Sequence, residues 1–189
     1  MCYSAKVQQN LRSLAKRFGA EIDWPMFEEV FHRRLADDGI KIARALESNF
    51  DNPQSDIEDH TRRHIEAYRR KTATLWEADL FRQKKRLADA QRSLKEKETK
   101  KARDDVRIAT NKIDAYVERL TNLRRTDFRD TDERIFPRYY APIVIRDGSR
   151  LVIRPMRYQC RINGKPANYD ERYPGTYNAL GALLTVSCH

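Results

Sequence analysis

Apolar residues recur with helical spacing over the first fifty positions. Val7, Leu11 and Leu14 step by four and three, Ala15 and Phe18 extend the stripe, and Gly19 stands where such a helix would close. This predicts a helix over residues 4–18 with Ser4 as its N-cap. A second helix is predicted from Asp23, with Pro25 in its first turn and Met26, Phe27, Val30, Phe31 and Leu35 on its inner face, ending at Gly39. Ile42 and Leu46 predict one or two further helical turns over residues 40–46.

From Gln54 to Phe136 there is neither glycine nor proline, which predicts long helices. Two heptad-like seams run through this stretch. Trp76, Leu80, Gln83, Leu87, Ala90 and Leu94 form the first; Val106, Ala109, Ile113, Tyr116, Leu120 and Leu123 form the second. Residues 95–101, KEKETKK, hold no seam position. The simplest reading is an antiparallel coiled-coil hairpin bending there, and one continuous helix is the alternative.

After Asp132 the pattern changes. Ile143-Val144-Ile145 and Leu151-Val152-Ile153 flank Arg146-Asp147-Gly148-Ser149-Arg150, and Asp-Gly between β-branched runs signals a hairpin. One hairpin cannot bury a core alone, so it either packs on the helices or belongs to a sheet that this chain does not complete. Residues 162–178 are rich in turn formers and tyrosine, a composition found in loops that line sites. The fold class expected is α+β: a β domain, incomplete here, with a long helical insertion.

Composition adds a partner class. The 189 residues carry a net charge of +10 with a pI of about 9.6, which favours a polyanion, nucleic acid first and an anionic membrane second. Charged residues make up 35%, yet 40% are apolar, so the composition is not that of a disordered chain. No stretch reaches the roughly 20 apolar residues of a membrane span, and Lys6, Gln8, Gln9, Asn10 and Arg12 interrupt any secretory leader. A cytoplasmic protein is expected.

The candidate chemistry is sparse. His60 and His64 lie at i,i+4, but the intervening residues give no HExxH motif, and a solvated helix face is the simpler reading. Cys2, Cys160 and Cys188 are too few and too far apart for a disulfide framework or a zinc site. No metal and no cofactor is expected. Cys2 stands directly behind Met1. Either chance placed a cysteine in a frayed terminus, or loss of Met1 leaves Cys2 with a free α-amine beside its thiol, a pair that reacts with aldehydes.

Three stretches occur in order: MCYSA at the start, FPRYYAPI over 136–143 followed by PMRYQC over 155–160, and YPGTYNA over 173–179. Together they resemble the SRAP family, the SOS response-associated peptidases, whose members cap abasic sites in DNA. Tyr158 stands at the family's tryptophan in its Pro-Met-Arg-Trp strand, and the helical stretch resembles the insertion of a longer bacterial branch. The resemblance implies that Cys2, freed by autocatalytic loss of Met1, condenses with the ring-opened abasic sugar of single-stranded DNA to a thiazolidine crosslink. Asn178 falls on the asparagine of the family's Asn-Ala-Arg motif and would hold the cysteine backbone or the sugar. Arg157 could reach a DNA phosphate. The implied protein is a DNA-damage enzyme associated with the nucleoid.

The chain departs from the family where Leu180 replaces the motif's arginine, and its later glutamate and histidine have no counterpart; His189 matches no motif. The tail ALGALLTVSCH reads as the product of a frameshift or truncation. The expected organisation is an N-terminal SRAP segment over 1–53, a helical insertion over 54–134 and a truncated β domain over 135–189. The alternative function is a basic coiled-coil module without chemistry, binding nucleic acid or a protein. Cys2 separates the two readings, because only the first needs it.

Overall fold

The computed structural model describes residues 4–6 and 10–159, with Gly164, Pro166 and Tyr169. The described chain is α+β and divides into two compact units. Residues 1–65 and 128–189 form the first, and Glu66–Asp127 the second, against an insertion expected over 54–134.

The first unit is built on the C-terminal hairpin. Strands β5 (Tyr139–Asp147) and β6 (Arg150–Arg157) pair antiparallel through Asp147 and Arg150, and Gly148 between them has φ of +60°, which glycine adopts without cost. Among the described residues two short strands extend the sheet: β2 (Glu21–Ile22) runs parallel to β6 and β3 (Lys41–Ile42) parallel to β5, giving the order β2-β6-β5-β3. The hairpin therefore packs on helices, as the first alternative expected, and its sheet partners among the described residues come from this chain rather than from a sheet completed elsewhere.

Several N-terminal expectations are corrected. The predicted helix over 4–18 is instead strand β1 (Ala5–Lys6) followed by α1 (Leu11–Phe18). Ser4 is not the cap: the Asn10 side chain accepts from the Ser13 amide at 2.8 Å and starts the helix. The C-terminal expectation holds, with Gly19 left-handed at φ of 60°. Helix α2 (Trp24–Arg33) starts at Asp23, whose carboxylate accepts from the Met26 amide at 3.2 Å. It stops before Gly39, where the Asp37 carboxylate accepts from the Gly39 amide at 2.8 Å in a turn. The helix predicted over 40–46 is β3 and a short helix α3 (Arg44–Glu47), because Lys41 and Ile42 pair with Tyr139 and Tyr140.

The core of this unit is aromatic and aliphatic. Leu11 of α1, Phe27 and Phe31 of α2, Leu46 of α3, Phe50 and Ile153 of β6 are all essentially buried in one cluster. The Phe50 ring meets those of Phe31 and Trp24 edge-on, at centroid distances of 5.2 and 6.0 Å. Burial of each such side chain contributes about 1.5–3 kcal/mol. Met26, expected on the inner face of α2, is exposed.

The second unit is a helical hairpin. Helix α4 (Asp56–Glu96) enters it and α5 (Lys100–Arg124) leaves it, with the bend at residues 97–99 inside the predicted stretch. Three cross-helix pairs set antiparallel register: Arg86 with Asp105 at 2.5 Å, Tyr116 with Asp79 at 2.9 Å, and Arg124 with Glu77. Thr99 caps α5 by accepting from the Ala102 amide at 3.2 Å. Of the predicted seams, Ala90, Ala109 and Leu120 are buried, while Leu80, Leu87, Ile113 and Tyr116 are half-buried, as two helices alone leave both flanks of a seam open. Among the described residues no helix is long and apolar enough to cross a membrane.

Candidate functional site

The candidate site is built where the beginnings of the first unit's two chain segments meet. Strand β1 pairs antiparallel with β4 (Arg134–Ile135), setting Ala5 opposite Ile135 and Lys6 opposite Arg134. Two residues of β-ladder are a weak link, and side chains reinforce it. The Lys6 ammonium pairs with Asp130 and lies 3.3 Å from Glu133, and the Arg134 guanidinium donates to Ser4 Oγ at 3.5 Å. The Asp130 and Glu133 hydrogen bonds raise the Lys6 pKa above its ordinary value, and Lys6 in turn lowers that of Asp130. Asp130 and Glu133 lie in the 3₁₀ turn Asp130–Glu133, whose Asp132 accepts from the Arg129 amide at 2.9 Å.

Beyond β4 the chain turns sharply into β5. The Tyr139 amide donates to the Phe136 carbonyl at 3.0 Å, with Pro137 second and Arg138 third in the turn. Arg138 has φ of 78°, the left-handed value that a type II turn normally assigns to glycine. Holding arginine there costs on the order of 1 kcal/mol, and the neighbouring ladder enforces it. The Arg138 amide donates to the Tyr158 carbonyl at 2.9 Å, and the Tyr158 amide to the Tyr139 carbonyl at 2.6 Å.

A second, small core lies under this junction. Ala43, Ile135 and Ala141 are buried, with Ala5, Tyr139 and Tyr158 packed against them. Residues from the MCYSA, FPRYYAPI and PMRYQC stretches thus share one cluster. Arg157 ends β6 directly opposite Tyr140, half-buried. Arg154, three residues earlier, is tied down: its Nε donates to Asp23 at 2.8 Å and an Nη to Asp147 at 2.7 Å. Cys2 and Asn178 lie outside the described residues, as do Cys160, Cys188 and His189.

The histidine reading is refined. His60 is exposed, as a solvated face requires, but His64 is half-buried: its Nε2 faces Glu28 Oε1 at 2.9 Å and its ring lies 5.0 Å from that of His32. Sequence reasoning missed Lys6, Asp130 and Glu133, whose pairing spans more than 120 positions and leaves no local signal. It also missed Arg138 and the turn that holds it. Compared with protein-family models, curated proteins and solved structures, the chain finds no match.

Proposed function

We propose that this chain is an SRAP-like DNA-damage protein that caps abasic sites in single-stranded DNA through Cys2. Loss of Met1 frees the Cys2 α-amine beside its thiol; an ordinary α-amine titrates at about 8 and an ordinary cysteine thiol at about 8.5, so groups of these two types offer nucleophilic forms at neutral pH. The amine adds to the aldehyde carbon of the ring-opened sugar and water leaves, giving an imine. The thiol sulfur then adds to the imine carbon and its proton passes to the nitrogen. One C–N and one C–S bond form, and the product is a thiazolidine. Asn178 holds the Cys2 backbone or the sugar, and Arg157 takes a neighbouring phosphate.

One observation carries this reading. Ala5, three residues from Cys2, shares a small core with Tyr139, Ala141 and Tyr158, so stretches far apart in sequence converge as a site assembled around the N-terminus requires. The test is a denaturing gel of the chain incubated with an oligonucleotide bearing one abasic site. A heat-stable shifted band that Cys2→Ala abolishes supports the proposal. A band of equal strength from Cys2→Ala contradicts it.

A further inference from the structure

The positive charge of the chain is concentrated in one place. Residues 66–127 hold eighteen Lys and Arg against eleven Asp and Glu, so +7 of the net +10 falls on the helical hairpin. Its bend carries most of the excess. Lys84, Lys85, Lys95, Lys97, Lys100 and Lys101 are all exposed, and among the described residues none of them forms an ion pair. The acids nearby are already engaged: Asp89 with Arg92 at 2.5 Å, Asp105 with Arg86 at 2.5 Å, and Glu98 with Arg103 at 3.4 Å. Glu96 is the exception. Lys85 and Lys101 line a groove of about 490 Å³ between the two helices beside the bend.

We propose that this lysine-lined bend is a nucleic-acid contact that grips the phosphodiester backbone without reading bases. The inference does not rest on Cys2 chemistry. Lysine ammoniums are compact charges on flexible stems and match phosphates without directional demand, whereas sequence readout favours the planar fork of arginine. No aromatic residue occurs between Phe81 and Tyr116, so bases have no ring to stack on here. An anionic membrane fits less well. Surface-seated helices interleave apolar residues with their lysines, and residues 95–101 contain none.

The test uses the full chain carrying Cys2→Ala, so that no covalent adduct contributes, and undamaged fluorescent oligonucleotides, single-stranded and duplex, read by anisotropy across a salt series. The hairpin triple Lys97→Ala, Lys100→Ala, Lys101→Ala is compared with a charge-matched triple on the other unit, Lys16→Ala, Arg17→Ala, Arg146→Ala. The hairpin triple is expected to lower the slope of log affinity against log salt by about 2 for the single strand, at roughly 0.7 per lost phosphate, and by nearly 3 for the duplex. Its affinity at low salt is expected to fall by about tenfold or more, while the control triple changes it by less than about threefold. Equal losses from the two triples would reduce the effect to net charge and overturn the proposal, as would an unchanged slope in the hairpin triple. Binding to phosphatidylserine vesicles that DNA does not displace would reassign the surface to membranes.

Discussion

Ala5 on β1 stands directly opposite Ile135 on β4, so a residue three places from Cys2 is fixed to the strand that leads into the Phe136-Pro137 turn. Ile135 is 1% exposed and is the largest buried member of the small core under this junction. Ile135→Ala is therefore expected to cost about 2–5 kcal/mol, read from chemical denaturation. Ile135→Val should cost about 0.5–1.5 kcal/mol. A negligible cost for both would mean that the junction is not packed as described.

The ion pair that holds β1 titrates at both ends of the pH scale. Lys6 has its folded pKa raised by Asp130 and Glu133, so its contribution is present below its ordinary value and is lost as pH rises through the raised one. Asp130 has its folded pKa lowered by Lys6, so its contribution is present above its ordinary value and is lost as pH falls through the lowered one. The β1–β4 pairing should be constant from about pH 5 to about pH 9 and loosen outside that window. The Ile135 methyl resonances report it, and Lys6→Met should remove both limbs. A pH response unchanged in Lys6→Met would contradict this assignment.

Arg138 adopts a left-handed backbone that L side chains resist. Two truncations isolate the backbone from the side chain. Arg138→Gly and Arg138→Ala both remove the guanidinium, but only glycine relieves the strain. The glycine variant is expected to be more stable than the alanine variant by about 1 kcal/mol. The reverse order in thermal melts would mean that this turn is not left-handed.

In the hairpin, Arg86 and Asp105 join α4 to α5 across nineteen positions, both partly exposed. Solvent screening limits the pair to about 0.5–1 kcal/mol. Arg86→Asp should lower the melting temperature and Asp105→Arg in the same chain should restore most of it. If the reversed pair gives no recovery, the antiparallel register is wrong.

Elements whose signal is local were legible in the sequence. The bend at 97–99 lies where the heptads lapse, the β5–β6 turn lies at Gly148-Ser149 beside the Asp-Gly signal, and α2 begins at Asp23. Pairings that depend on distant partners were not. Ala5 and Lys6 lie inside the 4–18 stretch that reads as helix, and they become strand because β4, some 130 positions away, offers its edge. Lys41 and Ile42 likewise follow β5 rather than their own helical spacing. Two-residue strands are too short to show alternation. At the candidate site, Arg157 was legible as a strand residue beside the Pro-Met pair, whereas the lysine–carboxylate clasp around β1 had no sequence signature at all.

The central claim is that Cys2 forms a thiazolidine with an abasic sugar, and the most direct measurement is the intact mass of the crosslinked product with peptide mapping of the attachment site. The protein is incubated with an abasic single strand, heated, digested and measured. The account predicts a product equal in mass to the chain without Met1 plus the oligonucleotide, less one water, with the modification on Cys2 and stable without a reductant. An adduct on a lysine that survives only after borohydride reduction, or retention of Met1 in the crosslinked species, would contradict it.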